Sequence, residues 1–139
     1  MGAVSVSTTK HLLREFLLRQ SSITDLVGQS VYTSHLSDSD AGTVLQVNPI
    51  IILDFLSGNL RWHGAVEVQS AEFYAYSKKS AIDASRVYDA LATILQHERL
   101  IVNGIDLSAV TREAERPIDG YSKHLDAWWL RGRWLIEGV

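Results

Sequence analysis

The chain has 139 residues, 46% hydrophobic and 21% charged, so it is long and apolar enough to bury a core as a single domain over 1–139 and too apolar to stay disordered. Its formal net charge of -3 argues against a protein whose main work is gripping nucleic-acid phosphates, because that affinity comes from Lys and Arg. The absence of cysteine excludes disulfides, thiolate metal sites and cysteine nucleophiles together.

The opening MGAVSVSTTKHLLREF has no apolar core behind a basic segment, so no secretory leader is expected. No window approaches the roughly 18 apolar residues that a membrane span needs, so a soluble, unsecreted chain is expected. Leu12, Leu13, Phe16 and Leu17 recur at one-face spacing and predict an amphipathic first helix capped by Thr8 and Thr9. A second short helical turn is expected over SITDLVG, stopping at Gly28. Residues 33–48, rich in Ser, Thr, Asp and Gly, read as a long loop suited to docking on a partner, with His35, Asp38 and Asp40 as candidate contacts.

PIIILDFLSG is apolar at successive positions, which predicts a strand covered on both faces, with Pro49 at its start where a missing donor costs least. SGNL is expected to turn the chain into a second strand ending AEFYAYS, with Gly64 as a bend. Ala71, Phe73 and Ala75 are assigned to its helix-covered face, and Tyr74 and Tyr76 to the other. The clearest helix follows, capped by Ser77, with a stripe of Ile82, Ser85, Tyr88, Leu91, Ala92 and Leu95. Asn103-Gly104 between apolar flanks is a hairpin signal, RPIDGY reads as a further turn, and the final strand is expected from about Ser122 to Glu137. The resulting order α-β-β-α-β-β-β predicts an α+β fold: a mostly antiparallel sheet of four to five strands with two helices packed on it.

Trp128 and Trp129 are adjacent in the last strand, so they point to opposite faces. The even positions Trp128, Leu130, Trp134 and Ile136 belong to the core. The odd positions combine Trp129 with Arg131 and Arg133, residue types enriched at the energetic centres of interfaces. This face is expected to meet another subunit or a partner; the plainer expectation is that a terminal helix or the 33–48 loop folds over Trp129.

Chemistry has little to stand on. His63, His124 and Asp126 offer a conceivable metal or acid/base cluster, but His-x-Asp at a strand end is more often a solvated edge. Asp38 to Gly42 superficially suggests a calcium loop, yet the twelfth position is Pro49 instead of Glu. His97-Glu98 has no second His four residues on, and no nucleophile elbow, phosphate loop or dinucleotide fingerprint occurs. No catalytic, cofactor or metal residue is therefore assigned. Lys78 and Lys79 precede a helix start, whose positive dipole end repels them unless they are solvated or pair with something acidic. Arg112, Glu113, Glu115 and Arg116 read as a solvated strand edge.

The linear pattern resembles the tail completion, or tail terminator, proteins of long-tailed bacteriophages over nearly the whole chain. The resemblance lies in Val27, Gly28, Val31 and Tyr32 after the first helix, and in Phe73 and Tyr74 leading into a helix with Ala81, Ala84 and Ala90. Asp119, Gly120 and Tyr121 before the last strand complete it. The chain departs from that pattern at Ser70 and Glu72 and in the length of the 33–48 loop. The resemblance implies a non-enzymatic virion protein at the head-tail junction, assembled in the host cytoplasm without a cofactor. It would form a homo-oligomeric ring, commonly a hexamer, on the head-proximal end of the tail tube. Its partners would be copies of itself, the tail tube protein and a head-tail connector or head-completion protein, with DNA passing through and no specific binding. A neck or head-completion protein and a small ligand-binding α+β domain or enzyme are the alternatives.

Overall fold

The computed structural model describes the backbone of residues 6–63, 66–97, 100–102, 105–111 and 117–138, and side chains over 9–56, 70–96 and 117–136. Helix α1 spans Val6–Leu18 and α2 Ser21–Val27, followed by the two-residue strand β1, Val31–Tyr32. Leu12, Leu13, Phe16 and Leu17 are buried, as their spacing predicts. Thr8 and Thr9 lie inside α1, so neither caps it; Thr9 is buried and its hydroxyl makes no hydrogen bond among the described residues. Gly28 closes α2 with φ 62, donating its N–H to Thr24 O at 2.8 Å. That left-handed conformation is one glycine adopts without a Cβ penalty. Arg14 ties α1 to the sheet by donating Nε–H to Val31 O at 2.6 Å.

The 33–48 segment is not an unstructured loop. It contains α3, Asp38–Leu45, whose N-cap Ser37 accepts the Asp40 N–H at 3.2 Å. Ala41 and Leu45, one helical turn apart, are its buried anchors. Strand β2, Ile50–His63, then pairs antiparallel with β3, Val66–Ser77. Ile50 to Leu53 are buried on both faces, in agreement with the apolar run, and Pro49 stands immediately before the strand. SGNL does not turn the chain. Phe55 pairs with Ala71 and Leu60 with Gln69, so β2 spends five residues where β3 spends two and continues as a bulged strand. Gly64 lies outside the described residues.

Helix α4, Ala81–His97, is capped by Ser80, which accepts the Asp83 N–H at 3.0 Å. Ser77 stands three residues too early to cap it; its Oγ accepts the Lys79 N–H and donates to Asp83. The buried stripe is Ala84, Val87, Tyr88, Leu91, Ile94 and Leu95, while Ile82 is 75% exposed. The apolar face is thus rotated from the expected one, and Ile82 lies off it, exposed. Strands β4, Leu100–Val102, and β5, Ile105–Thr111, pair Val102 with Ile105 around Asn103-Gly104, whose turn type lies outside the described residues, as do Arg112 to Arg116. Ile118 to Tyr121 of RPIDGY do not turn the chain: β6, Ile118–Ser122, pairs with β7, Ala127–Gly138, and a reversal lies at 123–126.

Among the described residues there are four helices and seven strands, five of them at least five residues long. The sheet order is β1-β2-β3-β7-β5-β4, with β6 also paired to β7. All pairings are antiparallel except β1 with β2. Because β3 occupies one edge of β7 along its length, β5 and β6 share the other edge end to end. The fold is α+β, as the order of elements predicts, with α1, α2 and α4 on one face of the sheet. There Leu53, Phe73, Ala75, Leu130, Trp134 and Ile136 form the main core with the three helices. On the opposite face α3 closes a smaller cluster over Ile50, Ile52 and Ala127.

Candidate functional site

The face that α3 covers only in part carries the residues expected at an interface. Strand register sets three cross-strand rows there. Ile50, Tyr76, Trp129 and Gly120 make the first, Ile52, Tyr74, Arg131 and Ile118 the second, and Asp54, Glu72 and Arg133 the third. The alternation assigned to the last strand holds: Leu130, Trp134 and Ile136 are buried in the main core, whereas Trp129 and Arg131 are half-buried and Arg133 is exposed on the other side.

Strand β6 packs against Trp129 through Gly120. A Cβ at Gly120 would fall on the indole, 2.6 Å from Cε2, so the missing side chain is what lets the ring lie across the neighbouring strand. Tyr74 flanks the ring with centroids 6.2 Å apart, and itself stacks on Tyr76 at 5.9 Å. Burial, and secondarily the neighbouring Tyr74, pushes the Tyr76 phenol up to about 12. Glu72 collects both arginines: its Oε2 is 3.2 Å from Arg131 Nε and 3.8 Å from Arg133 Nε. The carboxylate at position 72, a departure from the resembled pattern, thus has a local reason in the two positive charges opposite it.

The structure brings His35 to this face as well. Its Nε2 is 3.4 Å from Asp54 Oδ2 and its ring meets Tyr74 edge-on at 5.0 Å. His35, Trp129, Arg131 and Arg133 therefore belong to one continuous surface linked by Tyr74 and Glu72. Asp38 and Asp40 stand apart from it, exposed in the first turn of α3. Sequence reasoning missed Asp54 and Gly120. Asp54 carried a signal, since it is the charged residue that interrupts the apolar run of β2.

His124 and Asp126 do not lie on a strand. They occupy the exposed β6–β7 turn, where Asp126 has φ 50 and its carboxylate accepts a hydrogen bond from the Tyr121 hydroxyl. The pairing of His63 with Val66, and of Glu67 with Gly138, puts His63 at the far end of the ladder from Ala127. At about 3.3 Å per residue the separation is on the order of 30 Å, so these three residues share no site within one chain. Among the described residues no group of three or more His, Asp or Glu is placed to hold a metal ion.

No protein-family model matches the chain, and neither does any curated protein. Among solved structures, the chain is similar to a chain of "Virion of native gene transfer agent (GTA) particle", with a TM-score of 0.64 at 14% identity. The alignment covers 93% of this chain and 92% of that one. The two share a fold. Nearly the whole of each chain takes part.

Proposed function

We propose that this chain is a non-enzymatic structural protein of a phage-type virion, forming a ring, a hexamer, at the head-proximal end of the tail tube. There it ends tube growth and presents the surface to which the filled head joins. The observation that carries the reading is the fold shared, end to end, with a chain of a gene transfer agent virion. Fold alone does not fix function, so the reading also draws on the resemblance to tail terminator proteins stated above. The mixed face of the sheet fits it: Trp129, Tyr74, Arg131, Arg133 and Ile118 present aromatic, apolar and guanidinium surface of the kind subunit contacts use. No helix among the described residues is long and apolar enough to cross a membrane.

Native mass measurement across a concentration series, alone and with purified tail tube protein, tests this directly. A six-subunit species, or a monomer that becomes a ring when tube ends are supplied, is the expected result. A chain that ignores tube protein and binds portal-side proteins instead belongs at a different place in the neck. A monomer or dimer that ignores both defeats the virion reading.

A further inference from the structure

Among the described residues the sheet ends in three edge strands, β1, β4 and β6, and the first two are closed. On β1, Val31 donates its N–H to Gln29 O at 2.9 Å and its carbonyl accepts from Arg14 Nε at 2.6 Å. Strand β4 has three residues and lies against α1. Strand β6 differs: it pairs with β7 on one side and, among the described residues, no strand stands on the other. Of the four large apolar side chains exposed among the described residues, its five residues carry two, Ile118 and Tyr121. An open edge with exposed apolar side chains is a template for another strand.

Which backbone groups of β6 face outward follows from the ladder. Opposite residues of an antiparallel pair exchange both backbone hydrogen bonds or neither, and the two kinds alternate. Ile51 donates its N–H to Ser30 O at 3.0 Å, so its polar groups face β1 and turn away from Ala75 opposite it. Those of Ala75 therefore face Leu130, Leu130 returns them, and Asp119 opposite Leu130 is left facing out. Tyr121, two residues on, faces out with it. Pro117, two residues before, has the same phase and no N–H to offer.

We infer that the strand added here is β6 of a second copy, antiparallel, with Tyr121 on the two-fold axis. Asp119, Tyr121 and Lys123, the first residue past β6, read negative, aromatic, positive at alternate positions, so the edge run antiparallel is its own complement. Outward residues must meet outward residues, so the axis passes through a residue. An axis through Asp119 would oppose the two Asp119 carboxylates and set Pro117 against Tyr121, and one through Gly120 would set Pro117 against Lys123. An axis through Tyr121 removes Pro117 from the pairing, lets the two Tyr121 backbones exchange both bonds, and sets each Asp119 opposite the other copy's Lys123. Both charges are exposed, and neither has an ion-pair partner among the described residues. The Tyr121 ring, 46% exposed, is held by its bond to Asp126 and by Trp128 at 5.1 Å, so it is already set to meet its counterpart across the axis. A contact that uses one patch on both copies is two-fold, whereas the joints of a ring are head-to-tail. The pair therefore goes beyond the ring reading and belongs to chains outside a ring.

Sedimentation of the free chain over a concentration series tests it, with the wild type, Asp119→Lys, Lys123→Asp and the double variant carrying both changes. The wild type should form pairs. Each single change sets like charges opposite each other twice in every pair, so pairing should need about thirtyfold more protein. The double variant exchanges the two charges and should pair within about threefold of the wild-type concentration, a recovery that a misfolded chain cannot give. Absence of pairs at every concentration overturns the contact. So do single variants that pair like the wild type, or a double variant that pairs no better than the singles. Six-subunit species that no variant disturbs, with no pair below them, overturn the β6 contact and leave the ring reading standing. Pairs that follow the charge pattern yet ignore tube and portal-side protein support the contact while the ring reading falls.

Discussion

The two faces of the sheet solve different problems with the same strands. Beneath α1, α2 and α4, positions alternate into a dry layer in which Leu53, Phe73, Ala75 and Ile136 have no exposed surface. On the other face the same strands present Asp54, Glu72, Tyr74, Trp129, Arg131 and Arg133, and the eight residues of α3 shield only one end. The difference teaches where stability resides. Each fully buried large side chain of the first face contributes roughly 1.5–3 kcal/mol by transfer from water, whereas exposed ion pairs contribute about 0–1 kcal/mol. The second face is therefore free to be chosen for contacts outside the chain.

The comparison breaks most visibly if the dry face is opened. Trp134 is 1% exposed, stacks on Phe73 with centroids 6.2 Å apart, and donates its Nε1–H to the Tyr88 hydroxyl at 3.2 Å. Trp134→Ala should cost about 3–5 kcal/mol, measured by urea denaturation, and bring the protein close to its unfolding threshold. The next largest effect is at Gly132. A methyl there would fall on the Tyr88 hydroxyl and lie 2.7 Å from Cζ and 3.2 Å from Trp134 Nε1. Gly132→Ala should cost about 1–3 kcal/mol. In a Tyr88→Phe background the same change should cost less, because the obstructing oxygen has gone, so the pair will be non-additive in a double-mutant cycle.

The dry face was also the legible one. Leu12, Leu13, Phe16 and Leu17, the run Ile50 to Leu53, and the alternation of Phe73 and Trp134 all follow from periodicity, and periodicity reports burial. What composition misjudged was pairing. DGY and SGNL carry turn residues, yet Gly120 sits in a strand because Trp129 needs the space above it, and 57–60 continue β2 as a bulge. Helix α3 was hidden by its Ser, Asp and Gly content, although the Ser37-to-Asp40 cap and the Ala41–Leu45 spacing were present to be read. In α4 the large Ile82 drew the stripe off its axis, when the series 84, 87, 88, 91, 94 and 95 keeps helical spacing throughout. The mixed face yielded its residue types but not their connections: Glu72 between two arginines and His35 on Tyr74 depend on register and on α3.

A smaller effect is expected from breaking the mixed face. Glu72→Ala removes the carboxylate that faces Arg131 and Arg133 and leaves two half-covered guanidinium groups side by side. With the Glu72 side chain 14% exposed and Arg133 53% exposed, solvent takes up much of that charge. The expected loss is about 1–2 kcal/mol, less than for a fully buried pair and less than for Trp134→Ala. High salt should reduce the difference between variant and wild type. A loss as large as that at Trp134 would mean that Glu72 organises the sheet as the core does, and the division between the faces would fail.

The smallest effect marks where α3 stops closing the second face, and it is confined to alkaline pH. Tyr76 packs against the cluster beneath α3, and burial there, with Tyr74 beside it, pushes its phenol up to about 12 from an ordinary value near 10. Below pH 10 the phenol is protonated in the folded and unfolded chains alike and contributes nothing to pH dependence. Between about pH 10 and 12 the unfolded chain releases a proton that the folded chain retains, so stability falls as pH rises through that window. Tyr88, raised by burial in the main core, acts in the same direction. Tyr76→Phe should leave the denaturation midpoint unchanged near pH 8, since the hydroxyl makes no hydrogen bond among the described residues. The variant should then lose less stability than the wild type on going to about pH 11. An unchanged alkaline slope would mean that water reaches Tyr76 as freely as it reaches Trp129, and that the second cluster ends at Ile50 and Ile52.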